Sequence, residues 1–227
     1  MDNFEDLGFS KVDVAREERS GYPEVIFGEG KTAAQIRAIM EILLNKHGKV
    51  MVTRLSAEKA ATLTNEFPEA RYDTTARILL CGAPERRYSG TVMVMCAGTS
   101  DLPVAEEAAV TSEWMGCQTT RLYDVGVAGI DRLLAHREDI TKASVVIVCA
   151  GMEGALPSVV GGLVKRPLIA VPTSVGYGTH LEGITPLLSM LTSCSSGMSV
   201  VNIDNGFGAA YQAALILKLA AEIGGDK

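Results

Sequence analysis

Five apolar runs, each leading into a loop rich in glycine or hydroxyl side chains, constrain the fold of this 227-residue chain more than any other feature. They are TVMVMC (91–96), QTTRLY (118–123), SVVIVC (144–149), LIAV (168–171) and SVVNI (199–203). Helix starts fall between them near Asp101, Gly129, Gly154 and Leu181, and a last helix is expected from about Gly206 to Ile223. The runs do not alternate cleanly between apolar and polar residues, as expected of strands buried on both faces. Strands alternating with helices over short connections predict an α/β fold with a doubly wound parallel sheet and right-handed crossovers. Ligands bind such sheets outside the carboxyl ends of the strands.

A smaller unit precedes this pattern. The first twenty residues are charged, lack periodicity and are expected to form an arm. Tyr22–Phe27 reads as a short strand. Ile36, Ile39, Met40, Leu43 and Leu44 recur at helical spacing within 31–46, with His47-Gly48 as punctuation. KVMVT (49–53) reads as a strand, Ser56 as the cap of a helix reaching about Phe67, and ARILLC (76–81) as another strand. GAPERRYSG (82–90) reads as a linker. The expected organisation is a small α/β domain over 1–88 and a larger one over 89–227.

Composition excludes several function classes. The net charge is −6 and the basic residues are scattered, so nucleic acid is not an expected partner. No apolar run approaches the roughly 20 residues that span a bilayer, and the acidic start MDNFEDLGF is not a signal peptide. Five cysteines, odd in number and without CxxC spacing, argue against a disulfide framework or zinc knuckle and for the reducing cytoplasm.

The chemistry is therefore expected in the five loops. In AGTSD (97–101), Gly98 allows close backbone approach, Thr99 and Ser100 offer hydroxyls, and Asp101 is placed to cap the next helix, with Pro103 in its first turn. Free amides at such a helix start favour a phosphate. The second loop, DVGVAG (124–129), opens on Asp124. The third, AGMEGALP (150–157), carries Glu153 between Gly151 and Gly154, either as a solvated loop residue or as a site group. The fourth, PTSVGYG (172–178), offers Thr173, Ser174, Gly176 and Tyr177. The fifth, NIDNGFG (202–208), offers Asp204, a capping Asn205 and Gly206. Together they describe a nucleotide-sized site. Cys81, Cys96, Cys117 and Cys149 read as core thiols, His47, His136 and His180 as helix-end residues, and no His/Asp/Glu group has transition-metal spacing.

AGTSD and the Gly-rich loop ending in ALP (155–157) resemble the aminoimidazole ribonucleotide carboxylase/mutase module of purine biosynthesis. That module carries a catalytic histidine in a Ser-Ala-His-Arg stretch after its second strand, where this chain has DVGVAG, and it lacks the stretch LTSCSSG (191–197). Longer motifs resemble the LarB family: AGTSDLPVAEEAAVT, RLYDVGVAGIDRLL, AGMEGALPSVVGGL, VPTSVGYG and MLTSCSSGMSVVNIDNGFGA, with EDLGF, PEVIFGEGKT and VTRLS in the N-terminal part. The likeness covers nearly the whole chain and implies a PurE/flavodoxin-like three-layer domain.

It also implies a reaction. A LarB-type enzyme carboxylates C5 of the pyridinium ring of nicotinic acid adenine dinucleotide, with CO2 or bicarbonate as co-substrate, and hydrolyses the phosphoanhydride. AMP and pyridinium-3,5-biscarboxylic acid mononucleotide, an early intermediate of the nickel-pincer cofactor, are released. A pyridinium cation cannot attack CO2, but addition of the Cys194 thiolate makes C5 the nucleophilic end of an enamine. Glu153 is the candidate base for the C5 proton, and Ser100 and Asp101 are the candidates to hold phosphate, ribose or CO2. No organic cofactor is implied. Mg2+ is the cation considered for phosphoanhydride cleavage, with Asp101, Asp124 or Glu153 as candidate ligands. The resemblance further implies a homo-oligomer of dimers, up to an octamer. Two other readings stay open: a purine-type carboxylase, and a non-catalytic nucleotide-binding protein.

Overall fold

The computed structural model describes residues 3–82 and 85–224 and divides the chain into two compact units, Met1–Ala83 and Pro84–Lys227. The linker expected at 82–90 includes Ala83 and Pro84, which lie outside the described residues.

In the smaller unit the first twenty residues are more structured than an arm. β1 (Glu5–Asp6) and β2 (Lys11–Val12) pair antiparallel, and α1 (Arg16–Ser20) follows. Val12, in β2, and Val14, in the turn before α1, are buried in the unit's core. β3 (Ile26–Phe27) leads to α2 (Ala33–His47), which Thr32 and Gln35 start with a capping box and Gly48 ends in a left-handed turn. β4 (Val50–Thr53) is wholly buried, and Ser56 caps α3 (Ala57–Glu66) as expected. β5 (Arg71–Asp73) and β6 (Ile78–Cys81) complete a mixed sheet in the order β3-β4-β6-β5. RYD carries no apolar signal, so β5 was not legible in the sequence. It exists because it pairs with β6.

The larger unit is the expected doubly wound sheet. Its elements are β7 (Thr91–Cys96), α4 (Leu102–Trp114), β8 (Gln118–Leu122), α5 (Ile130–Leu134), α6 (Arg137–Lys142), β9 (Val145–Ala150), α7 (Leu156–Gly161), β10 (Leu168–Pro172), α8 (Ile184–Leu191), β11 (Met198–Val200) and α9 (Gly206–Gly224). All five strands are parallel, in the order β11-β10-β9-β7-β8. Only the central β7, β9 and β10 are buried on both faces. The edge strands β8 and β11 keep exposed residues, so the two-face expectation fails there. α4 and α9 pack together on one face. Gly206 permits this, since a Cβ there would lie 2.3 Å from the carbonyl oxygen of Val104. Leu133, Ile140, Leu156, Val160 and Met190, from α5 to α8, build the core on the other face. The chain runs outward from β7 to β8, then returns to β9 on β7's other side. The topological switch therefore lies between β7 and β9.

Candidate functional site

A cleft of about 610 Å3 opens at that switch point, beyond the carboxyl ends of β7, β8, β9 and β10. Of the residues expected from sequence, it brings together Gly98, Ser100, Asp101, Asp124, Gly151, Glu153, Gly176 and Tyr177. Asp101 is nearly fully buried beneath it. Its Oδ1 accepts a 2.6 Å hydrogen bond from Thr173 Oγ1, and its Oδ2 accepts one from the Gly98 amide at 2.9 Å. The expected cap at α4 is therefore a correction: the carboxylate makes no bond to the first turn of that helix and turns back onto its own loop. Burial pushes its pKa above the usual 3.8, against the lowering effect of the Thr173 hydroxyl and the Gly98 and Gly151 amides.

The other acids differ in setting. Asp124 holds a left-handed backbone (φ 58°) and pairs with Arg132 Nη1 at 2.5 Å. Glu153 is exposed beside Met152, itself left-handed at φ 52°. Gly151 lets the β9 and β10 loops approach, since a Cβ there would meet the Val175 carbonyl at 2.1 Å. Residues in left-handed conformations are strained and gather at functional sites. Sequence reasoning missed Arg132, the one cation lining this cleft among the described residues, while Gly126, Val127 and Ala128 of the expected DVGVAG loop form a small wall beside it. Arg132 stands eight residues after Asp124, one turn into the helix after DVGVAG, and that spacing was its only available signal.

The remaining expected residues lie around the cleft. Thr99 is exposed in the first loop, and Gly154 (φ 69°) packs against Pro186. The Ser174 amide donates to Asp204 Oδ1 at 2.8 Å. Asn205 caps α9 as expected, its Oδ1 accepting from the Gly208 amide at 2.7 Å beside Gly206. His180 is buried, its Nδ1 accepting from the Gly183 amide, and no histidine lines the cleft.

Cys194 is not among these residues. It is exposed in the loop between α8 and β11, in a shallow depression lined by Ser158, Gly161, Ser189 and Ser193. Because β10 and β11 are parallel, the loop entering β11 lies at the amino edge of the sheet, where the Gly197 carbonyl accepts from the first amide of β10. Glu153 leaves β9 at the opposite, carboxyl edge. The sequence reading placed both against one ring, and a single chain does not bring them together. The other four thiols are buried, and burial pushes Cys81 and Cys96 up to about 11 and Cys117 to about 12. Burial holds Cys149, fully enclosed, well above the ordinary thiol range as well. None of the four is a ready nucleophile.

No group of three His, Cys, Asp or Glu side chains able to hold a metal gathers among the described residues. Asp101 is committed to Thr173 and Gly98, and Asp124 to Arg132, so the three candidate Mg2+ ligands do not form a set within one chain. No described helix is long and apolar enough to cross a membrane.

Comparison with known proteins agrees with this architecture. Residues 4–83 match the LarB/PurE-like N-terminal domain, and residues 91–224 match AIR carboxylase. An uncharacterized protein of Methanocaldococcus jannaschii is 44% identical over 92% of this chain and 84% of its own length. The N5-carboxyaminoimidazole ribonucleotide mutase of the same organism is 35% identical over 58% of this chain and 81% of its own. The crystal structure of Treponema denticola PurE covers 57% of this chain and 80% of its own at 25% identity, with a TM-score of 0.47. The chain is thus a LarB-like member of the AIR carboxylase family, a family of carboxylases and mutases, with a PurE-like domain behind a LarB-type N-terminal domain.

Proposed function

We propose that the chain carboxylates C5 of the pyridinium ring of nicotinic acid adenine dinucleotide and hydrolyses its phosphoanhydride. The observation that carries this reading is a carboxylate cleft with no histidine, in a chain whose one exposed thiol is Cys194. Gly126, Val127 and Ala128 form the wall beyond β8, where the sequence lacks the purine-type histidine. A purine-type reaction lacks its proton carrier here, and a binding protein has no need of an exposed cysteine.

In the proposed reaction the Cys194 thiolate adds to C4 and the ring becomes a dihydropyridine. C5 attacks CO2 and forms the carbon–carbon bond. Glu153, open to solvent and without an ion-pair partner among the described residues, takes the C5 proton. The restored enamine then expels the thiolate from C4, which returns aromaticity and the free cysteine. Water cleaves the phosphoanhydride to release AMP.

This reading requires Cys194 to come from a neighbouring copy of the chain, since one copy holds Glu153 and Cys194 on opposite sheet edges. Apolar residues exposed on the larger unit support self-association: Tyr177 (80% exposed), Leu181, Leu188 and Leu191 on one stretch, and Leu219 and Ile223 (77%) on α9. The test is incubation with nicotinic acid adenine dinucleotide and 13C-bicarbonate, followed by mass spectrometry. AMP and a labelled dicarboxylated mononucleotide are expected. Turnover of an aminoimidazole ribonucleotide with none of the dinucleotide would overturn the reading.

A further inference from the structure

Among the described residues, seven that are not glycine hold left-handed backbones, and all seven lie in loops or turns. Asp124, Met152, Leu181, Glu182 and Asp204 are in the larger unit, where Asp124 and Met152 line the cleft. The other two, Arg54 and Arg77, are in the N-terminal unit, which has so far been given no chemistry. Glycine would hold these conformations without strain. Arginine at both positions indicates that the side chains are needed.

β3 and β4 are parallel, and their carboxyl ends open onto two loops that each start a helix. Gly28–Lys31 forms a turn with Gly30 at φ 77° in its third position, and Gly28 lies close against β4, where a Cβ would be 2.9 Å from the Thr53 carbonyl. Two ammonium groups converge on this turn. Lys31 Nζ donates to the Phe27 carbonyl at 2.8 Å and Lys59 Nζ to the Gly28 carbonyl at 3.3 Å. On the other side of β4, the Arg77 carbonyl accepts from the Leu55 amide at 2.8 Å, next to Arg54. The acids on these loops make no ion pair with Lys31, Lys59 or Arg77. Asp73 caps its own turn through the Thr75 and Ala76 amides, and no carboxylate among the described residues lies within 4.0 Å of Lys31, Lys59 or Arg77. Lys31 and Lys59 gather like charge at one turn, and a bound anion relieves their repulsion.

We propose that the carboxyl edge of the N-terminal sheet is a phosphate-binding site, in which Lys31, Lys59 and Arg77 bind a nucleotide phosphate. Half-exposed Phe27, whose ring lies 5.9 Å from Lys31 Nζ, offers the base a stacking face. The cleft of the larger unit is poorly suited to this task, since Asp101, Asp124 and Glu153 there face only Arg132, which Asp124 already pairs. The proposal stands whether or not the cleft carboxylates a pyridinium ring.

The test is calorimetric titration of the full-length protein with pyrophosphate and AMP at low salt. Wild type should bind both, with AMP displacing pyrophosphate, and affinity should fall at least tenfold between 50 and 500 mM salt. Lys31→Gln/Lys59→Gln should weaken both ligands at least tenfold, while Lys142→Gln, at an exposed lysine of α6 in the larger unit, should leave them unchanged. If the double variant does not fold, Lys31→Gln alone should weaken pyrophosphate several-fold. Unchanged affinity in the folded Lys31/Lys59 variant, an equal loss of binding in Lys142→Gln, or failure of AMP to displace pyrophosphate would overturn the proposal.

Discussion

The two edges of the five-stranded sheet carry groups of opposite character. At the carboxyl edge Asp101 is buried, fixed by two hydrogen bonds, and surrounded by strained turns that close contacts hold in place. At the amino edge Cys194 sits in an exposed loop of serines and glycine. In the proposed reaction, a pre-organised cleft without its nucleophile and a nucleophile without a cleft would be two halves of one site. Neither half explains the other within one chain. The comparison teaches that assembly, rather than the fold of one copy, completes the chemistry proposed here.

Complementation tests that lesson with the largest effect. Cys194→Ser and Glu153→Gln, each alone, should lower carboxylation on the order of 10³-fold while the protein stays folded. An exposed thiol exchanged for a hydroxyl should change stability by no more than about 0.5 kcal/mol. When the two variants are co-expressed and assemble together, some sites receive a native cysteine from one copy and a native cleft from another. Activity should then return to about a quarter of wild type for random mixing of two copies per site. Mixed assemblies as inactive as either parent would place both residues in one copy and break the comparison. Full activity of a species that sediments as a monomer would do the same.

Asp101→Asn comes next in size. Asparagine keeps the shape and can still accept from the Gly98 amide while its own amide faces Thr173, so the loop should hold. The loss of charge at the cleft floor should lower kcat/KM by about 10²-fold at saturating bicarbonate. Near-native turnover in the folded variant would make Asp101 a purely structural residue.

The sequence was most legible where one local rule acted alone. Ser56, Thr32 and Asn205 start their helices as their residue types suggest, and the buried runs of β7, β9 and β10 were unmistakable. β5 escaped because its cause is pairing with β6, and Val12 and Val14 escaped because a charged stretch hid two inward residues. In the site, the loops were readable because each follows a strand end. The position of Cys194 in the fold was hidden for a related reason. Its motif runs straight into the last strand, and a motif quoted as one string conceals that its two ends lie on opposite edges of the sheet.

Gly161→Ala probes the amino edge without touching the cleft. A Cβ on Gly161 would lie 1.8 Å from Ser195 Oγ and 2.9 Å from Ser195 Cβ, so the loop next to Cys194 must move. Carboxylation should fall about tenfold with ligand affinity at the cleft unchanged, because only the placement of the nucleophile is disturbed. Removing the obstruction in Gly161→Ala/Ser195→Gly should recover most of the loss. Wild-type rates in the folded single variant would show that the loop needs no fixed position.

The smallest effect is on stability and its dependence on pH. Burial raises the pKa of Asp101, so the native state holds the proton more tightly than the unfolded chain, where the group titrates near 3.8. The stability this proton contributes is fully present below 3.8 and is lost as pH rises through the elevated native value. Asparagine does not titrate. The midpoint of Asp101→Asn minus that of wild type should therefore increase as pH rises above about 4, and level off once native Asp101 is ionised. The two hydrogen bonds to the carboxylate offset part of the burial cost, so the difference should be a small shift in Tm, read as its trend with pH. A difference for Asp101→Asn that is flat, or that falls with rising pH, would mean that Thr173 and the loop amides outweigh burial and hold the carboxylate charged at no net cost.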